Sequence, residues 1–419
     1  MDRNLSISIY LDTRRAKATG KYPVKLRVFT HSPRIQKLYP TDFDFTEDEF
    51  KSIWLTKKPR KEHQTKRHEL QSVKTKAIET AKDLNPFTFD QFEKKLYRKA
   101  GEGNSVYFQY EIAIDRLKSN KQFGTASNYD LALKSIKAFL LHEKGKIPPF
   151  LTLHEITPEW LEKFEYYMVK TMGKSRTTLS MYVRTLRTIY NNAISDREIE
   201  KDFYPFGKKK YQIPAVKKVK KALLGTELKI LFESNPSAPG QILAKDFWFF
   251  SYICNGMNIK DIALLKFEDI NGEFMTFYRA KTINTGKGDL TPVSVYLNDF
   301  AKNIINKYEN PKAEPKEYLF SIISKNDSDE VAFAKIKNFT NFINKNIKRL
   351  AKSLNITTDI STYWARHSFA TNAIRNGASM EFVGEALNHS NPKTTMGYFA
   401  GFEEKDKKEI INSLMNFNG

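Results

Sequence analysis

Residues 5–11 (LSISIYL), 22–30 (YPVKLRVFT) and 34–39 (RIQKLY) alternate apolar and polar positions. A period of two predicts three strands, joined by turns near Thr19-Gly20 and Ser32-Pro33. Thr46-x-x-Glu49 then reads as a capping box for a short helix. Beyond it the period changes. Leu70, Val73, Ala77, Ile78, Ala81 and Leu84 recur at helical spacing, which predicts a helix with one buried side. Residues 86–103 contain Pro86, Lys99 and Gly101 to Gly103 and read as a linker. Four helices follow, near 105–120, 126–143, 158–172 and 175–195. The last sets Leu179, Tyr182, Leu186, Tyr190 and Ala193 on one side, with Arg176, Arg184 and Arg187 largely elsewhere.

Residues 207–221, GKKKYQIPAVKKVKK, hold seven lysines, Lys217 and Lys218 among them, and no acid. They read as a solvated, flexible linker whose positive charge suits a polyanion. A further domain begins near Leu223. Thr226 is placed to cap a helix, and Gln241 to Asn255 forms a buried one. Residues 273–296 read as a hairpin with Thr285-Gly286-Lys287-Gly288 near its tip. Residues 297–310 and 330–354 are helical. From Ser361 to Gly401 the pattern is two helices, a polar loop and a tyrosine. Ser361 or Thr362 is placed to cap the first helix, and Asn376-Gly377 stops it. Arg366, Ala370, Ala373 and Ile374 share a face, so a guanidinium sits beside an apolar stripe. That is costly unless an anion pairs with it. Ser379 is placed to cap the second helix, with Met380, Val383, Ala386 and Leu387 inward. His389 follows at once, and Tyr398 lies nine residues later.

Composition narrows the partner. The 419 residues allow two to four domains with a sizeable core. Lys plus Arg is 69 against 48 Asp plus Glu, a formal +21. Such an excess suits a polyanion, because each phosphate neutralised releases condensed counterions. Charge alone does not separate DNA from RNA or an acidic membrane. The single cysteine, Cys254, excludes an intramolecular disulfide, fits a reducing cytosol and reads as buried filler. The start of the chain alternates like a strand rather than a signal peptide, and the run Phe247 to Cys254 is too short to span a bilayer. A cytoplasmic protein is expected. No metal or other cofactor is expected, since the seven histidines lack acidic or cysteine partners at ligand spacing.

Arginine, histidine and a late tyrosine in this order form a specific pattern. Arg366-His367-Ser368-Phe369-Ala370-Thr371, Leu387-Asn388-His389-Ser390 and Tyr398 resemble the C-terminal signature of the tyrosine recombinases, the phage-integrase family. Asn388 stands where that family has glycine. Thr178, Tyr182, Leu186 and Arg187 match a run in the family's core-binding domain, which points Arg176, Arg184 and Arg187 at the DNA backbone. Asn255-Gly256-Met257-Asn258-Ile259-Lys260-Asp261-Ile262 matches the family's Thr-Gly-Leu-Arg-x-x-Glu-Leu. Arg279-x-Lys281-Thr282 matches Arg-x-Lys-Thr, whose lysine is the general acid. The first 85 residues, with basic side chains at Arg14, Arg15, Lys17, Lys25, Arg27 and Arg34, resemble the arm-binding domain of integrases from Bacteroides-type mobile elements.

The resemblance implies a multidomain, mainly α chain. Residues 1–85 would be an arm-type DNA-binding sheet plus helix, 104–206 a four-helix SAM-like core-binding domain, and 222–419 a mixed α+β catalytic domain. It implies a site-specific recombinase that cuts and rejoins double-stranded DNA through a 3′-phosphotyrosine, integrating or excising a mobile element. It further implies a homotetramer on two DNA sites, with DNA-bending accessory proteins and no membrane partner. Tyr398 would be the nucleophile, Arg366 and His389 the phosphate contacts, and Lys281 the general acid. Two positions depart from the pattern. Asn258 replaces a catalytic arginine: either Arg366 is the only guanidinium on the phosphate, or another cation reaches the site. Lys260, two residues on, would point away. Tyr363 replaces a histidine and is a poor proton acceptor at neutral pH, so His389 or water is the better base. The readings set against recombination are a lapsed DNA-binding or transcription factor, a helix-turn-helix protein with an incidental tyrosine, and a nicking relative of type IB topoisomerases.

Overall fold

A computed structural model describes residues 5–413, apart from 83, 85, 98–101, 216–221, 224, 282, 284–290, 312, 313, 390 and 403. Lys217 and Lys218, the expected hairpin tip and Ser390 therefore lie outside the described residues. The chain divides into two compact units, one of residues 1–113, 132–171 and 184–212, the other of 114–131, 172–183 and 213–419.

The first unit opens with β1 (Leu5–Leu11), β2 (Tyr22–His31) and β3 (Arg34–Phe45), an antiparallel sheet in that order. β3 runs six residues past the expected strand, because Tyr39 and Phe45 continue the inward face. Ile7, Ile9, Leu11, Val24, Leu26 and Val28 form that face. Arg27 points outward, its Nε on Ser8 Oγ at 3.1 Å and its guanidinium over the Tyr10 ring. Not every basic residue here is available to an anion. Arg14 and Lys25 both pair with Asp12, at 2.7 and 2.8 Å, and Lys17 pairs with Asp44 at 2.6 Å.

The capping box of α1 (Glu47–Phe50) forms as expected, with Thr46 and Glu49 exchanging hydrogen bonds. In α2 (Lys61–Lys82), Leu70, Ala77 and Ala81 are buried against the sheet. The expected linker at 86–103 contains a third helix, α3 (Phe89–Leu96). Thr88 caps it, and Phe92 and Leu96, one turn apart, join the core of the sheet. Breakers at both ends of the segment hid a two-turn amphipathic pattern. Next come α4 (Val106–Ser119), α5 (Phe123–Lys144), α6 (Pro158–Tyr166) and α7 (Arg176–Ser195). On α7 the buried stripe is Leu179, Val183, Leu186, Tyr190 and Ala193; Val183 takes the place expected of Tyr182, which is half-buried. Arg176 and Arg184 are exposed, and Arg187 is half-buried. The lysine-rich segment is anchored at its start. Tyr211 is buried and donates to Glu165 at 2.7 Å, and Lys210 Nζ donates to the Tyr204 carbonyl.

The second unit contains α8 (Gly225–Glu233), α9 (Pro239–Ile253) and α10 (Ile259–Leu264). Thr226 lies inside α8 rather than ahead of it. Strands β4 (Ile270–Asn271), β5 (Phe274–Phe277) and β6 (Val293–Tyr296) form an antiparallel sheet in that order. The expected hairpin is the β5–β6 pair, Phe274 opposite Tyr296 and Phe277 opposite Val293. Helices α11 (Asp299–Tyr308), α12 (Asp329–Ser353), α13 (Thr362–Arg375), α14 (Met380–Ala386), α15 (Pro392–Met396) and α16 (Glu404–Ser413) complete it. α9 is the axis of this unit. Ala244, Phe247, Trp248, Phe249 and Phe250 are buried, as befits a helix that is apolar nearly all round. Cys254 at its end is buried in the same core. Ser361 stands at the N-cap of α13, but its side chain does not cap. Asn344 of α12 accepts from the Thr362 amide instead, at 2.8 Å, and Trp248 donates to the Ser361 carbonyl. These two bonds fix where the arginine-bearing helix starts.

Candidate active site

Arg366 lies one turn into α13 and is 3% exposed. Its surroundings are built for a guanidinium. Nη1 donates to the Gly256 carbonyl at 3.0 Å and Nη2 to the Leu387 carbonyl at 2.6 Å. Among the described residues, its Nε has no acceptor. Gly256 is required twice over. Its φ of +62° favours glycine, and a Cβ there would fall 2.8 Å from Arg366 Cα. Burial first, and a neighbouring Arg279 second, pull the Arg366 guanidinium down to about 10. It remains a cation at neutral pH.

His389 sits in the loop after α14. Nδ1 is 3.1 Å from Thr395 Oγ1, and Nε2 is 3.4 Å from Arg366 Nη2. A guanidinium only donates, so Nε2 accepts and the proton belongs on Nδ1. Desolvation, then Arg366, Arg279 and Lys281, lower its pKa to about 4. The imidazole is therefore neutral across the physiological range. Asn388, the residue in the family's glycine position, has a φ of +50° and donates to the Thr291 carbonyl at 3.0 Å. Asparagine tolerates that left-handed backbone better than other side chains do, which accounts for the substitution.

Tyr398 follows α15 and is half-buried. His367 stacks on its ring at 4.3 Å between centroids, His389 lies at 4.9 Å, and the Arg366 guanidinium is 5.6 Å from its centre. The Tyr398 hydroxyl is 2.5 Å from that of Tyr363, the departure from the family's histidine. Burial, then the Tyr398 contact, raises the pKa of Tyr363, so it stays a phenol. Lys281 lies just beyond β5, exposed, and its charge reaches His389.

Asn258 stands at the N-terminus of α10, and its amide hydrogen-bonds Asp261. Asp261 is 5% exposed, and burial raises its pKa against the pull of Arg279 and Arg366. Its Oδ1 also accepts from the Ala280 amide at 3.0 Å, which ties α10 to the turn after β5. Lys260 is exposed.

A second guanidinium lies beside Arg366. Arg279 is 8% exposed and donates from Nη1 to the carbonyls of Leu387 and Asn388, at 2.9 and 3.2 Å. Arg366 and Arg279 thus share the Leu387 oxygen. Like charges that close repel by roughly 3 kcal/mol at an effective dielectric of about 20, and an anion relieves that. The period of two was the signal. Met275, Phe277 and Arg279 continue one buried face of β5. His367 and Thr395, which pack the ring of Tyr398 and hold His389, were also passed over as functional residues. Arg366, His389, Tyr398, Tyr363 and Lys281 come together here. Asn258 stands at the edge with its amide turned to Asp261. Arg176, Arg184 and Arg187 belong to α7, and Lys217 and Lys218 are undescribed.

Two family profiles match the chain, the Phage integrase SAM-like domain over residues 105–213 and the Phage integrase family over 223–405. Tyrosine recombinase XerD of Oceanobacillus iheyensis is 26% identical over 239 residues, 55% of this chain and 74% of that protein. Tyrosine recombinase XerC of Halalkalibacterium halodurans is 23% identical over 297 residues, 68% of this chain and 88% of that one. Among solved structures, the Tn1549 transposon integrase in complex with a circular intermediate DNA is similar with a TM-score of 0.51 at 15% identity, covering 74% of this chain and 99% of the other. A lambda integrase dimer bound to a core site has a TM-score of 0.50 at 13% identity, covering 70% and 95%. At those identities the structures speak to the fold. Matching profiles, over two thirds of the chain together, and these relatives make the class plain. The chain belongs to the phage integrase family, the tyrosine recombinases, enzymes that cleave and rejoin DNA.

Proposed function

We propose that this site-specific recombinase integrates or excises a mobile element through a 3′-phosphotyrosine at Tyr398. The observation that carries the reading is the Tyr398 ring packed beside a buried Arg366 and a neutral His389. A phosphodiester repels nucleophiles, and fixed cations on its non-bridging oxygens offset that repulsion. Tyr398 Oη would form the bond to phosphorus as the bond to O5′ breaks. His389 Nε2, neutral and accepting, would take the phenol proton, and Lys281 would give one to the leaving O5′. Tyr363 would orient Tyr398 through the 2.5 Å hydroxyl contact, its own proton held by its raised pKa. Asn258 would act through Asp261 and not on the phosphate. The phosphotyrosine keeps the energy of the broken bond, so rejoining to a new strand needs no nucleotide.

Residues 1–85 would bind arm-type sites, 104–206 the core site through Arg176, Arg184 and Arg187, and 222–419 would carry the chemistry. Lys217 and Lys218 would contribute to a cationic strap around the duplex. Sequential strand exchange would take a homotetramer on two DNA sites in the cytoplasm, aided by DNA-bending proteins. Among the described residues no helix is long and apolar enough to cross a membrane, and no cluster of three His, Cys, Asp or Glu side chains could hold a metal.

Incubation with nicked duplexes of candidate attachment sites tests the reading. Wild-type protein should give a denaturation-resistant protein–DNA adduct, and Tyr398→Phe should bind with equal affinity and give none. An adduct from the variant would move the nucleophile elsewhere, with Tyr363 the first alternative.

A further inference from the structure

Resting on Tyr398 chemistry as just described, we propose that Arg279 is a catalytic residue. It supplies the second guanidinium on the scissile phosphate, the charge that Asn258 cannot.

The argument begins with the departure at residue 258. An amide carries no charge, and this one is already engaged with Asp261. The site nonetheless holds two buried guanidinia. Arg366 Nη2 and Arg279 Nη1 both donate to the Leu387 carbonyl, so the two nitrogens lie no further apart than 2.6 Å plus 2.9 Å. A phosphate group can span such a separation with two of its oxygens. Arg279 is not merely close to Arg366. Its charge is felt by Arg366, by His389, by Tyr363 and by Asp261. The position is enforced. Arg279 continues the buried face of β5, its carbonyl is met by the Ile283 amide, and the next residue, Ala280, is pinned to Asp261. One buried carboxylate acts on both guanidinia, which leaves the pair a net cation. Burying two cations beside one acid is costly, and a phosphodiester is an anion of the charge and size to offset it. Asp261 therefore has a positioning role. Its amide contacts hold α10 and the turn carrying Arg279 and Lys281 in one register.

The test uses the full-length protein in single-turnover cleavage of a nicked site, with either a normal phosphodiester or a methylphosphonate at the scissile position. Methylphosphonate replaces one charged oxygen with methyl, so it removes the need for the second cation. Arg279→Gln should cleave the phosphodiester about 100-fold more slowly than wild type, in line with loss of one preorganised donor. On methylphosphonate the two proteins should differ by only a few-fold. The double variant Asn258→Arg/Arg279→Gln should regain at least tenfold on the phosphodiester. Thermal melting monitors folding. Equal slowing on both substrates, or wild-type cleavage by Arg279→Gln, would overturn the assignment while leaving Tyr398 as nucleophile intact. If Arg279→Gln does not fold, Arg279→Lys decides: it keeps the charge, so a defect of similar size on both substrates overturns the proposal, and a defect confined to the phosphodiester upholds it. Failure of wild-type protein to form an adduct would be a failure of the earlier reading instead.

Discussion

His389 is neutral first because it is buried and then because Arg366, Arg279 and Lys281 crowd it. That has a consequence for stability. An unfolded chain protonates this histidine near 6.5, whereas the folded protein holds out to about 4. Between those values the unfolded state binds more protons, so this residue makes the fold lose stability as pH falls from 6.5 toward 4. His389→Gln removes the effect. Its melting temperature should fall less than that of wild type between pH 7 and 4.5; parallel curves would refute the depressed pKa. Much of the site was legible at this scale. Arg366, His389 and Tyr398 were marked by spacing, and the structure gathers them. Arg279 falls within a legible motif, but nothing local marks it as part of the site. Lys281, two residues on, draws the chemical interpretation, and only the fold shows that Arg279 is buried while Lys281 is exposed. Tyr363 and Asn258 were visible as departures, but what each touches, Tyr398 and Asp261, depends on contacts that no local pattern encodes.

At the scale of elements, the active site is a meeting of helix and strand ends. The end of α9, the start of α10, the turn after β5 and the loops around α14 and α15 each contribute one or two atoms. Left-handed residues make those turns tight enough: Asn255, Gly256, Gly377 and Asn388 all have positive φ. Gly256 is the severe case, because its left-handed backbone coincides with close approach to Arg366. Gly256→Ala should cost roughly 1–2 kcal/mol from backbone conformation alone. The Cβ contact adds to that and displaces the carbonyl that Arg366 Nη1 uses. Urea midpoints should show the destabilisation, and cleavage should fall further than the folded fraction does. Asn388→Gly should be close to neutral in the same assay, since only the side-chain bond to Thr291 is lost; Gly256→Ala with wild-type cleavage would mean that this turn does not hold Arg366. Helices and strands were largely readable from periodicity. The exceptions are instructive. α3 was masked by flanking breakers, and the cap of α13 comes from Asn344, eighteen residues away. A cap supplied across the fold leaves no local signature.

For the whole molecule, charge is unevenly spread. Residues 1–100 hold 23 Lys and Arg against 13 Asp and Glu, about half of the net +21 on a quarter of the sequence. The sheet and the helices that follow it share a core, from Ile7 to Leu96, which contains no residue of the Tyr398 site. Some of its cations are spent on Asp12 and Asp44, so net charge overstates what DNA would meet. Arg27, outward on β2, is better placed for a groove or a phosphate. A fragment beginning near residue 104 should therefore cleave a core site at close to the full-length rate. It should lose binding to any distant arm site. Each phosphate contact removed should flatten the dependence of log affinity on log salt by about 0.9. Full-length protein should thus show a steeper salt slope than the fragment on arm-containing DNA and the same slope on an isolated core site. Footprints of equal length, with identical salt slopes on both DNAs, would rule out an arm-binding role for the sheet.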